Sequence, residues 1–181
     1  RNIFDDGGEH GTRELLHAVG GCLRYMPDSF AVLAPSFNAY RRFQRSSHAP
    51  TYPGWGYENR TVALRVPAGS PSARRIEHRV AGADANPYLL LAVILAAALD
   101  GIDEGLEPPP PITGDGYSRE NVEQLPIFMQ DALAVFRRSE FIRRNLGEQM
   151  QNTFALTKDQ ENAEFLRHIT TMEYQTYLQR L

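Results

Sequence analysis

Arg74-Arg75-Ile76-Glu77-His78-Arg79-Val80-Ala81-Gly82-Ala83-Asp84-Ala85-Asn86-Pro87 alternates charged with apolar residues and then runs straight into a helix start. Read as a strand over 75–80, it places Arg75, Glu77 and Arg79 on one side and Ile76, His78 and Val80 on the other, because side chains alternate between the faces of a strand. Two arginines then flank one carboxylate. Arg forks match oxyanions and a Glu can ligate a hard cation, so this face suits a site that holds phosphate, carboxylate and metal together. In an arbitrary protein the same pattern would be a solvated sheet face with a cross-strand ion pair; here the neighbouring residues decide otherwise.

Upstream lie Asn38-Ala39-Tyr40-Arg41-Arg42, Ala49-Pro50-Thr51, Trp55-Gly56-Tyr57-Glu58-Asn59-Arg60-Thr61 and Ala63-Leu64-Arg65-Val66-Pro67. With Arg75 to Arg79 and Ala83-Asp84-Ala85-Asn86-Pro87-Tyr88-Leu89, their order and spacing resemble the second half of the catalytic domain of the glutamine synthetase family, over about residues 1–105. The resemblance implies an α+β fold in which antiparallel active-site strands are backed by helices. Residues 1–105 would form the second half of the catalytic core, and residues 106–181 an acidic, Pro-rich loop and C-terminal helices of the same domain. Tyr40-Arg41-Arg42-Phe43 and the Trp55–Thr61 motif lean toward the branch that joins glutamate to polyamines or other amines.

By resemblance, Arg42 grips the glutamate carboxylate and Arg79 lies beside the reacting carboxyl group. Arg60 and Arg65 stabilise the transferring phosphoryl group and the nucleotide phosphates, Arg75 is a further phosphate contact, and Glu77 ligates magnesium or manganese. The implied chemistry uses ATP to phosphorylate the glutamate side chain, after which an amine, or ammonium in a true glutamine synthetase, displaces phosphate. Ammonia-using members carry a glutamate two residues before the Ala-Pro pair; here that position is His48, which can itself act as a base near neutral pH. Ser72 stands where those members often carry a lysine near the nucleotide. Without the family match each lone arginine reads as a surface ion-pair partner. A catalytically silent structural or regulatory member is the third reading, and retention of Arg60, Arg65, Glu77 and Arg79 argues against it.

The chain has 181 residues, 42% of them hydrophobic, and a net charge of −3, which bounds it to one globular domain with a core. Its basic residues are scattered through mixed-charge segments, without the dense stripe that nucleic-acid binding needs. The longest apolar run, Tyr88 to Leu99, has 12 residues, short of the roughly 20 that span a bilayer, and reads as a buried core helix. The single cysteine, Cys22, forms no internal disulfide and fits a reducing cytoplasm. The polar start without Met, taken with the resemblance, implies a piece of a longer protein: the family's small amino-terminal domain and most metal-binding carboxylates would lie elsewhere. The piece alone is then expected to be inactive, and the intact protein to be a homo-oligomer, a dodecamer of stacked rings in this family.

Along the chain, Thr12 is placed to cap a helix over 13–25, Pro27 and Asp28 read as a turn, and 43–50 as a mobile flap. Residues 60–66 read as a strand that pairs antiparallel with 74–80; Arg60 has the wrong parity to join Arg65 and so belongs at a strand edge or bulge. Asn86-Pro87 opens a helix expected to end near Asp100-Gly101, followed by a surface loop over 103–124. From Pro126 a helix buries Phe128, Ala132, Val135 and Phe136, Ser139 caps a short helix ending near Gly147, and Thr157 with Gln160 opens a last helix carrying Phe165, Ile169, Met172 and Tyr177 as core or subunit contacts.

Overall fold

The computed structural model describes residues 1–44, 47, 49–119 and 122–178. The fold is α+β, with a three-stranded sheet set against helices. Helix α1, Arg13–Arg24, starts where expected: the Thr12 side chain accepts a hydrogen bond from the Leu15 amide. The turn expected at Pro27 is instead the opening of α2, Met26–Leu33, because a proline in the first turn of a helix costs no hydrogen bond. Ser36 then caps the short α3, Phe37–Arg41, which delivers Arg42.

The sheet holds β1, Trp55–Tyr57, β2, Leu64–Val66, and β3, Glu77–His78, in that order. β2 and β3 are antiparallel with Arg65 opposite Glu77, as expected; β1 was not expected and lies parallel to β2. Both expected strands are shorter than the sequence pattern implied. The Asn59 side chain accepts hydrogen bonds from the Thr61 amide and hydroxyl, which bends residues 60–63 into a turn. β3 therefore loses its partner beyond Ala63, whose carbonyl accepts from the Arg79 amide.

Helix α4, Pro87–Glu104, is capped by Asn86 and ends at Gly105, whose φ of +64° needs no Cβ to be accommodated. It runs past the expected stop because Gly101 serves a different purpose: it is where α4 crosses α1. A Cβ on Gly21 would come within 2.7 Å of the Gly101 Cα, and one on Gly101 equally close to the Gly21 backbone. The core around this crossing contains Leu15, Val19, Phe30, Leu33, Leu64 and Val93. α4 is not the buried core helix expected of this run: only Val93, Ala97 and Gly101 are sealed.

The Pro-rich connection is bound to the sheet's flank, with Ile112 buried and its amide donating to the Trp55 carbonyl. α5, Met129–Arg138, buries Ala132, Leu133 and Phe136, while Phe128 precedes the helix and is exposed. Ser139 caps α6, Glu140–Leu146, as expected. Helix α7, Glu148–Arg167, passes straight through Thr157, whose hydroxyl donates to the Thr153 carbonyl instead of capping. The capping box lies at Thr170 and Glu173 and opens α8, Thr171–Tyr177. Phe165, Ile169, Met172 and Tyr177 are exposed, so none is core.

Candidate active site

Pairing Arg65 on β2 with Glu77 on β3 puts opposite charges face to face. One Glu77 oxygen accepts from Arg65 Nη1 at 3.0 Å and the other from Arg79 Nη1 at 2.7 Å. Both guanidinium groups are largely sheltered, at 14% and 16% side-chain exposure, while Glu77 is at 35%. The hydrogen bond from Arg79 and the charge of Arg65 hold the Glu77 carboxyl below its ordinary range. The carboxylate thus stays ionised and each of its oxygens keeps a lone pair directed elsewhere.

Arg65 has a second carboxylate that the sequence reading gave no role. Glu58 accepts from Arg65 Nη2 at 3.1 Å and from the Ala68 amide, and that backbone hydrogen bond is the main reason its carboxyl titrates low. Glu58 sits at φ +51°, in the left-handed region that a non-glycine residue adopts only when its surroundings impose it. Asn59 is the other hub: its buried amide donates to the Ile112 and Gly114 carbonyls at 2.9 Å each, tying the turn to the Pro-rich connection. Membership of the Trp55–Thr61 motif is the only sequence signal for either residue.

Arg60 follows in this turn, outside the strand, as its parity required. Its carbonyl accepts from Arg79 Nη2 at 2.9 Å, and its exposed guanidinium makes no hydrogen bond or ion pair among the described residues. Arg42 is part-buried, donates to the Val80 carbonyl at 2.6 Å and lies over the Phe43 ring. Burial pulls its pKa down, partly opposed by Asp84. The Val80 bond ties Arg42 to the backbone of the residue that follows Arg79. Arg75 lies apart from the Glu77 cluster: it is exposed and donates to the Ala73 carbonyl, because the chain leaves the ladder before reaching it. His48 lies outside the described residues.

Arg74 donates to the Gly8 and Glu9 carbonyls at 2.7 and 2.6 Å and holds the N-terminal segment against the 67–71 turn. Between them opens a cavity of about 480 Å³ with Tyr57, Glu58, Gly69 and Ser70 in its wall. It abuts the Glu58–Arg65 pair and is roomy enough for a nucleotide-sized ligand. Among the described residues no group of three or more His, Cys, Asp or Glu is placed to hold a metal ion. Glu77 alone fits magnesium as one carboxylate, since that ion is commonly held by one or two carboxylates, waters and substrate phosphates.

The family model of the glutamine synthetase catalytic domain matches residues 1–177. The chain belongs to the glutamine synthetase family. It is 41% identical to the gamma-glutamylputrescine synthetase PuuA of Escherichia coli K12 over 98% of this chain and 37% of that protein. It is 33% identical to the glutamine synthetase of Thermotoga maritima over 92% of this chain and 40% of that one. A solved GmaS structure without ligand superposes with a TM-score of 0.84 at 34% identity, covering 98% of this chain and 41% of the other. A GmaS complex with ADP gives 0.86 at 30%, covering 99% and 43%. This glutamine synthetase family chain spans about two fifths of the length of these relatives. No described helix is long and apolar enough to cross a membrane.

Proposed function

We propose that this chain supplies the phosphate- and glutamate-binding half of an ATP-dependent ligase that joins an amine to the γ-carboxylate of glutamate. The observation that carries the reading is the Glu77 carboxylate shared between Arg65 and Arg79. Phosphorylating a carboxylate brings two anions together, and positive charge fixed in place offsets that repulsion without reorganisation. Arg42 grips the α-carboxylate of glutamate, and Arg79 lies beside the side chain that reacts. Arg60, whose guanidinium makes no hydrogen bond or ion pair among the described residues, takes the moving phosphoryl group, and Arg65 the nucleotide phosphates. Arg75 contacts phosphate from the rim, and the cavity beside Glu58 receives the nucleoside.

In the first step a carboxylate oxygen bonds to the γ-phosphorus, the bond to the β-phosphate oxygen breaks, and ADP leaves. In the second, the amine nitrogen bonds to the acyl carbon, the carbon–oxygen bond to phosphate breaks, and the amine's proton passes to a base, the role we assign to His48. A bound magnesium or manganese ion at Glu77 would supply charge neutralisation for the phosphates. The 41% identity to a putrescine-using relative favours an organic amine over ammonium. The 33% identity to a glutamine synthetase keeps ammonium as the second reading.

The deciding experiment is phosphate release by an enzyme of family length carrying these residues, with ATP, magnesium and glutamate, comparing ammonium, putrescine, spermidine and monoamines. Preference for an organic amine is the expected result. Preference for ammonium restores the glutamine synthetase reading, and no release with any amine overturns both. His48→Glu is expected to raise the use of ammonium relative to the organic amine.

A further inference from the structure

The backbone around Arg60 is fastened more firmly than a solvent-facing turn requires. Before it stands Asn59, 9% exposed, whose side-chain amide is used to full capacity. Its nitrogen donates to the Ile112 and Gly114 carbonyls at 2.9 Å each, and its oxygen accepts from the Thr61 amide at 2.9 Å and the Thr61 hydroxyl at 2.6 Å. The two carbonyls can only accept and the Thr61 amide can only donate, so the Asn59 amide has one admissible orientation. After Arg60, the Thr61 hydroxyl in turn accepts from the Gly116 amide at 2.8 Å. Two glycines let the segments meet: a Cβ on Gly56 would stand 2.5 Å from the Ile112 carbonyl oxygen, and one on Gly116 2.7 Å from the Thr61 hydroxyl. The residues on either side of Arg60 are thus both bolted to the Pro-rich connection, while the Arg60 side chain itself is exposed.

We propose that Asn59 and Thr61 are positioning residues for phosphoryl transfer, holding the Arg60 backbone so that its guanidinium meets the phosphoryl group without rearrangement of the turn. The inference rests on the reading of Arg60 as the phosphoryl contact. An apolar joint of the same shape would keep the connection in place by burial alone, whereas a fully satisfied buried network also fixes a single geometry. The side chain whose origin that geometry fixes is Arg60. An arginine on a loose turn must order backbone and side chain together when an anion arrives; on a fixed turn only the side-chain rotamers remain to be ordered. The Arg60 carbonyl, which accepts from Arg79 Nη2 at 2.9 Å, ties the same turn to the arginine beside Glu77. Asn59 and Thr61 therefore act through Arg60, with no contact of their own to the phosphates.

A double-mutant cycle tests this in a family-length enzyme carrying these residues. Asn59→Leu matches the amide in shape and makes none of its hydrogen bonds; it is combined with Arg60→Ala. Turnover is followed as phosphate release, and ATP affinity by calorimetry without glutamate or amine. Asn59→Leu is expected to lower kcat about 100-fold, the scale of a misplacement of about 1 Å, and ATP affinity about tenfold. The double variant is expected to be no worse than Arg60→Ala alone, because the amide acts through that side chain. If circular dichroism shows that Asn59→Leu disturbs folding, Thr61→Val takes its place, and Thr61→Ser, which keeps the hydroxyl, restores the unmodified values. Where the unmodified enzyme turns over, kcat decides; where it does not, ATP affinity decides. Losses that multiply in the double variant overturn the proposal, as does a first variant without loss or an unmodified enzyme that binds no ATP. An enzyme that binds ATP with the non-multiplying pattern yet releases no phosphate with any amine loses the ligase reading and keeps the positioning.

Discussion

Glu77 sets the register of the site, because its carboxylate is bonded to both Arg65 and Arg79. In a family-length enzyme, Glu77→Gln is expected to lower kcat by about 100-fold, the scale of losing one preorganised charge contact, with circular dichroism unchanged. Its neighbour predicts a pH effect. His78 has an Nδ1 sealed from water without a partner, and burial lowers its pKa to about 4. The unfolded chain takes up that proton near 6.5 and the folded chain only near 4, so stability is complete above pH 6.5 and falls as pH drops through this window. Glu77, whose pKa is also lowered, adds a loss below its ordinary value of 4.5. Urea unfolding between pH 4 and 7 should show the first slope, and His78→Gln should flatten it. The arginines were legible in the sequence because their motifs are. Glu58 was not, since its role depends on a left-handed backbone that no side-chain pattern encodes.

The crossing of α1 and α4 depends on paired glycines that a propensity reading counts against a helix. Gly21→Ala adds up to about 1 kcal/mol of helix propensity. It also drives a methyl into the Ala97 carbonyl and Gly101, which are backbone atoms that cannot rotate away. A net loss of about 1–3 kcal/mol is expected from urea unfolding. The caps at Thr12, Asn86 and Ser139 were readable because a side chain and its target amide lie within three residues. The burial of α4 was misread because a uniformly apolar run carries no information about which face is covered. β1 was missed because three residues are too few to show a period.

At the scale of the whole molecule, the described residues hold no group of three His, Cys, Asp or Glu placed to bind a metal ion. The 181-residue chain alone is therefore expected to release no phosphate from ATP with glutamate and any amine, while thermal melting still reports a folded protein. Turnover by the short chain would show that its own residues suffice. The arginine cluster has one more consequence. An acyl phosphate is attacked by any neutral amine, and a lysine beside it would compete with the substrate for the activated carbon. Lys158 is the only lysine in the chain, and it is engaged by Glu161 on α7. Guanidinium groups stay protonated and carry no free electron pair at neutral pH. Under the proposed reading, Arg42 and Arg79 at glutamate and Arg60 and Arg65 at the phosphates would face the reactive intermediate without offering it an amine to acylate.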